Sequence, residues 1–171
     1  MDRFLEEKLT RLESALESLA VAHETLMALL RDKRVALRLA RYEQVTQICE
    51  QENVLVQRIS ELEKHRLKLV ADLTLIIEPG ASEPLAMIEL ARRLDEPQRK
   101  RLLGLRQGLV ERMEQVRCES GVARRATEAL VAHMQGLMQT IGAVCTGVGV
   151  YNRLGAPPPE AMALSTFNTT A

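Results

Sequence analysis

Residues 5–37, LEEKLTRLESALESLAVAHETLMALLRDKRVAL, return a leucine at alternating steps of four and three: Leu5, Leu9, Leu12, Leu16, Leu19, Leu26, Leu30 and Leu37. His23 and Lys33 are the two polar members of the same frame. This period sets all ten side chains on one stripe of an α-helix, as in helices that pack through a heptad seam. It predicts a long helix from about residue 2 to residue 39.

Downstream, a second seam runs through Val45, Ile48, Glu52, Leu55, Ile59, Leu62, Arg66, Leu69, Leu73 and Ile76. It is displaced by one residue from the first, so one straight helix cannot turn both seams to the same neighbour. A tight turn is expected near residues 38–44. No Gly or Pro marks it, which leaves a kink, or a turn nearer Asp32, as the alternative. Glu78-Pro79-Gly80-Ala81-Ser82 then stops the second helix. Ser82 is placed to cap a short helix over EPLAMIELARRL, with Pro84 in its first turn.

Asp95 can cap one more start, with Pro97 in the first turn. Leu102, Leu109, Met113, Val116, Ala123, Leu130, Met134, Leu137, Ile141, Val144 and Val148 follow in one heptad frame that Arg106, Ser120 and Thr127 complete. This helix approaches fifty residues, about 75 Å at roughly 1.5 Å per residue, against about 55–60 Å for each of the first two. It is expected to outrun them.

The 171 residues suit a single core, and 46% hydrophobic with only 2% aromatic content favours helices packed through aliphatic stripes over any sheet. The predicted fold is all-α: an elongated antiparallel helical bundle or coiled coil of three long helices and one short one. Residues 1–150 form the bundle. Residues 151–171, with Pro157, Pro158 and Pro159, are expected to be a flexible tail that buries little.

Lys plus Arg equals Asp plus Glu at 23 each, so no overall charge draws the chain to nucleic acid or anionic lipid. Cys49, Cys118 and Cys145 form no C-x-x-C pair, which fits a reducing cytoplasm. The start, MDRFLEEKLTRLE, has no apolar run of the secretory kind. The uncharged window from Met134 to Asn152 carries Gln135, Gln139, Thr140, Thr146, Asn152 and four glycines, so membrane insertion is not expected.

No catalytic or metal site is expected. None of His23, His65 and His133 has a glutamate three residues before it, the spacing that sets both ligands of a di-metal bundle on one inner face. There is no H-E-x-x-H, no phosphate loop and no G-x-S-x-G, and no cofactor is implied. His23 reads as a seam interruption that sets register and His133 flanks a seam; a proton switch is the sharper alternative. The basic clusters at 31–41 and 99–106 read first as solvated faces, and second as contacts for phosphate or an acidic partner.

One feature asks for a partner. Gly136, Gly142, Gly147 and Gly149 each weaken a helix interior by about 0.8–1 kcal/mol relative to alanine. The same turns carry Met134, Leu137, Met138, Ile141, Val144 and Val148, an uncharged, methionine-bearing stripe beyond the reach of the shorter helices. Soft apolar surface of this kind adapts to an incoming helix. The bland alternatives are packing on the start of the first helix or on a second copy of the chain, so a homodimer stays open.

Two heptad helices, the run ENVLVQRISELEKHR, the short helix EPLAMIELARRL, a long helix and a Tyr-x-x-x-Gly element, YNRLG, together resemble the FlgN family of flagellar export chaperones. Leu62, Glu63 and Arg66 match the family's Leu-Glu-x-x-Arg. Glu52 stands where the family often has lysine, and Ser120 and Thr127 where it favours asparagine. The resemblance extends to Gly155. It implies a cytoplasmic, non-enzymatic protein that binds hook-associated, flagellin-like subunits by their terminal helices and delivers them to the flagellar export gate. It also implies that Tyr151, with Gly155, docks to that gate. The competing readings are a structural coiled-coil scaffold or homodimerisation module with no secretion role, and, more remotely, a helical subunit of an enzyme.

Overall fold

The computed structural model describes residues 3–145. Among them four helices follow in order: α1 Arg3–Arg38, α2 Tyr42–Ile77, α3 Met87–Arg92 and α4 Glu96–Cys145, with no strand. The fold is an all-α helical bundle. The chain separates into two units, residues 1–127 and 128–171. The expected boundary at 150 lies outside the described residues.

In the first unit, cross-helix ion pairs fix directions. Lys8 donates to Asp72 at 2.6 Å and Lys33 to Glu52 at 2.5 Å, so α2 runs antiparallel to α1. Arg101 reaches Glu13 at 3.1 Å, and Arg31 and Arg34 share Glu119 at 3.4 and 3.1 Å. Glu13 to Arg101 and Arg31 to Glu119 both span 88 positions, so α4 runs parallel to α1 in constant register. The two basic clusters therefore lie at opposite ends of this unit, a question the sequence left open.

Both predicted seams face inward. Every seam position of α1 and α2 is buried or half-buried, with Leu12, Leu16, Leu19 and Leu73 among the most enclosed side chains. Burying a leucine contributes about 1.5–3 kcal/mol, so this row is the main source of stability. The densest packing joins Leu9, Leu12, Leu16 and Leu19 to Leu69, Leu73, Leu90, Leu94, Leu102 and Leu109, at the end that α3 closes.

The polar interruptions have local explanations. Lys33 and Glu52, one from each seam, meet each other with side chains only 16% and 12% exposed. His23 is buried, and its Nδ1–H donates to the Leu19 carbonyl at 2.8 Å, a satisfied core histidine. Arg66 grips Glu63 one turn earlier with two bonds of 2.8 Å.

The α1–α2 turn falls at residues 39–41, inside the expected window. Ala40 takes φ +53°, Arg41 N–H bonds the Ala36 carbonyl at 3.0 Å and Ala40 N–H bonds that of Leu37 at 3.1 Å. This is a Schellman stop whose left-handed position is filled by alanine instead of glycine, at a cost of roughly 1–2 kcal/mol. The missing glycine is why the turn carries no sequence signal. The α2 stop does carry one: Ala81 N–H returns to the Glu78 carbonyl at 3.1 Å, with Gly80 at φ +105° between them.

Two expectations need correction. Ser82 caps nothing: α3 begins only at Met87, and extended Ala86 precedes it without a side-chain cap. A buried hydroxyl overrides the local signal. Thr74 Oγ1 donates to the Val70 carbonyl at 2.8 Å and accepts the Leu85 N–H at 3.0 Å, pinning residue 85 to α2 before a helix can start. In α4, Leu102, Arg106, Leu109, Val116 and Ala123 of the expected frame do face inward, but Leu105, Arg112, Glu119 and Ala126 are buried or half-buried as well, while Met113 is exposed and Ser120 and Thr127, though exposed, line an open cavity with Leu26, Leu30 and Lys33. Glu119, drawn toward α1 by two arginines, sets that rotation. A seam read from apolar residues passes over it.

Candidate protein-binding surface

The second unit is described here from Glu128 to Cys145, all helical. Leucine, methionine and alanine favour the helix, and between Ala129 and Cys145 no charged side chain interrupts it. Every residue from Val131 to Gly142 is exposed. Met134, Leu137 and Ile141 are 46%, 49% and 61% accessible, and Met138 reaches 72%.

These four share one face, since steps of three and four residues return to the same side of a helix. Val131, 47% exposed, and half-buried Leu130 join them there, giving about three turns of apolar surface. Sequence reading passed over Val131 because it sits beside the heptad frame, not in it. Val144 lies in the helix with its side chain undescribed, and Val148, Tyr151 and Gly155 lie outside the described residues. His133 is exposed on the helix.

The glycines of this stretch have no packing reason. A Cβ added at Gly136 or Gly142 would meet nothing within 4 Å. Thr140 adds a bond from its hydroxyl to the Gly136 carbonyl at 2.9 Å, the kind of back-bonding that tends to bend helices. The stretch thus combines exposed apolar side chains with a softened backbone, and it can offer van der Waals contact to an apolar helix face.

Among the described residues, no three His, Cys, Asp or Glu side chains are grouped to hold a metal ion. No helix among them is long and apolar enough to cross a membrane. Comparison with curated proteins and with solved structures returned no match. A family model described as FlgN protein matches residues 1–159, which takes in all four helices and the Tyr-x-x-x-Gly element, and the chain belongs to the FlgN family.

Proposed function

We propose that this protein is a cytoplasmic flagellar export chaperone that holds hook-associated subunits through the end of α4 and passes them to the export gate through Tyr151. Membership of the FlgN family gives the general role, chaperoning in flagellar export. The observation that carries the finer reading is the three-turn uncharged stripe of Val131, Met134, Leu137, Met138 and Ile141, exposed on a glycine-softened helix. An aggregation-prone terminal helix of a subunit has an apolar face that needs cover before export. A stripe without charges supplies it with no desolvation cost.

Binding a client would also order the softened turns, so affinity stays moderate and release at the gate stays easy. Tyr151 enters through family resemblance: an aromatic past the stripe is a compact anchor for a pocket on another protein. The chaperone acts by contact alone, without catalysis or cofactor.

Calorimetry against the terminal helix of a hook-associated subunit, and separately against the cytosolic domain of the export gate, tests both arms. Leu137→Asp combined with Ile141→Asp abolishes client binding while the first unit keeps its thermal midpoint. Tyr151→Ala leaves client affinity unchanged and weakens gate binding by about 1–4 kcal/mol, as for a truncated aromatic anchor. Client binding that survives the double aspartate variant, with a homodimer lost in sedimentation, would return the stripe to dimer packing.

A further inference from the structure

We propose that the α1–α2 turn forms a second docking surface, for an acidic protein segment that also carries apolar side chains. At the end of α1 the residues divide into two arcs. Leu30, Lys33, Ala36 and Leu37 face inward, while Arg31, Asp32, Arg34, Val35, Arg38 and Leu39 are exposed. Arg41 and Tyr42 continue the exposed arc across the turn.

Two features separate this surface from an ordinary solvated face. The first is charge. Arg31 and Arg34 share a single carboxylate, Glu119, and Arg38 and Arg41 have no acidic partner among the described residues. The 88-residue register sets Arg125, also exposed, level with Leu37. Against these five arginines stand Glu119, Asp32, Glu43 and, three residues past Arg125 in the sequence, Glu128, so positive charge is left over in a chain whose total is balanced. The second is apolar exposure within the same arc: Val35, Leu39 and Tyr42 are 45%, 49% and 52% accessible.

Arginine and tyrosine around aliphatic side chains make up the composition of protein-recognition hot spots. A phosphate polymer would use the arginines and leave Val35, Leu39 and Tyr42 idle. An acidic, apolar-bearing segment uses both, with its carboxylates taking paired hydrogen bonds from guanidinium groups. The turn is suited to holding such a contact, because the Schellman bonds fix the backbone between Arg38 and Arg41. Nothing here depends on the stripe at the end of α4.

The test uses the full chain carrying Leu137→Asp and Ile141→Asp, so that the stripe cannot bind the probe. The probe is a fluorescein-labelled helical peptide of eighteen residues with leucines on one face and glutamates on both flanks, followed by anisotropy. It binds, and binding weakens with added salt. Arg38→Glu with Arg41→Glu raises Kd at least tenfold, as does Tyr42→Ala, while circular dichroism stays unchanged; should the charge reversal unfold the chain, Arg38→Gln with Arg41→Gln replaces it. A peptide with lysines for glutamates does not bind, and polyglutamate or an oligonucleotide of equal charge binds at least tenfold more weakly. Failure of the peptide to bind, binding that survives the arginine variants, or tighter binding by the oligonucleotide overturns the proposal.

Discussion

Leu9, Leu12, Leu16 and Leu19 in α1, and Leu130, Met134, Leu137 and Ile141 in α4, are written in the same heptad spacing, yet the first four are buried and the last three of the second set are about half-exposed or more. Local propensity separates them only slightly, since both stretches form helix and Gly136 alone weakens the second. The difference is the neighbour. α1 has α2 antiparallel and α4 parallel along its length, held in register by Lys8–Asp72, Lys33–Glu52 and Arg101–Glu13. At the end of α4 every residue from Val131 to Gly142 is exposed. A heptad seam states that a helix wants a partner, and only the fold states whether the chain itself provides one.

That comparison breaks first at Leu12. Leu12→Asp sets a carboxylate where nothing is exposed and lowers unfolding free energy by about 4 kcal/mol or more, whereas Leu137→Asp changes it by no more than about 0.5 kcal/mol. Urea unfolding of both variants checks this. Equal effects would mean that the two stripes are equally packed. Ile59→Asp, at a half-buried position, falls between them.

The next largest effect belongs to the cross-seam ion pair. Lys33→Met leaves Glu52 enclosed without its cation, and Glu52 Oε1 already lacks a partner. The pair is not wholly buried, so the expected loss is about 2–3 kcal/mol, below the range for a fully desolvated bridge. The double variant Lys33→Met/Glu52→Leu recovers to within about 1 kcal/mol of the parent. A double-mutant cycle in urea reads the coupling, and additive losses would remove the pair from its register role.

Smaller still, Gly136→Ala and Gly142→Ala each firm the end of α4 by about 0.8–1 kcal/mol, since a methyl group there meets no neighbour. Amide exchange between residues 131 and 143 slows several-fold while the global thermal midpoint stays fixed. A rise in the global midpoint would show that this stretch unfolds together with the first unit.

The smallest effect is a pH dependence. The hydrogen bond from Arg66 holds the Glu63 carboxyl below its ordinary value; burial opposes this, and the charges of Arg66 and His23 add to the lowering. A folded-state value below the unfolded one means that this carboxylate adds stability above the ordinary carboxylate range. The contribution is lost as pH falls through the depressed folded value. Glu63→Gln therefore loses less stability than the parent between neutral and strongly acidic pH. Parallel pH profiles for the two proteins would contradict the assignment.

Much of the fold was legible. The two seams gave α1 and α2, their one-residue phase shift gave the turn, and Pro79-Gly80 gave the α2 stop, because burial periodicity and backbone-restricted residues act locally. Ser82 misled because capping is worth only about 1 kcal/mol and the anchor at Thr74 lies eleven residues before Leu85. Of the candidate site, the stripe was legible as an uncharged helical face. The sequence also determined family membership, through the order of its elements over residues 1–159. Only the tertiary structure decided that Lys33 answers Glu52, that Glu119 turns α4 by drawing Arg31 and Arg34, and that the basic clusters stand at opposite ends. Each depends on which residues the parallel and antiparallel registers bring together, and hydropathy along one helix carries no information about the register of the next.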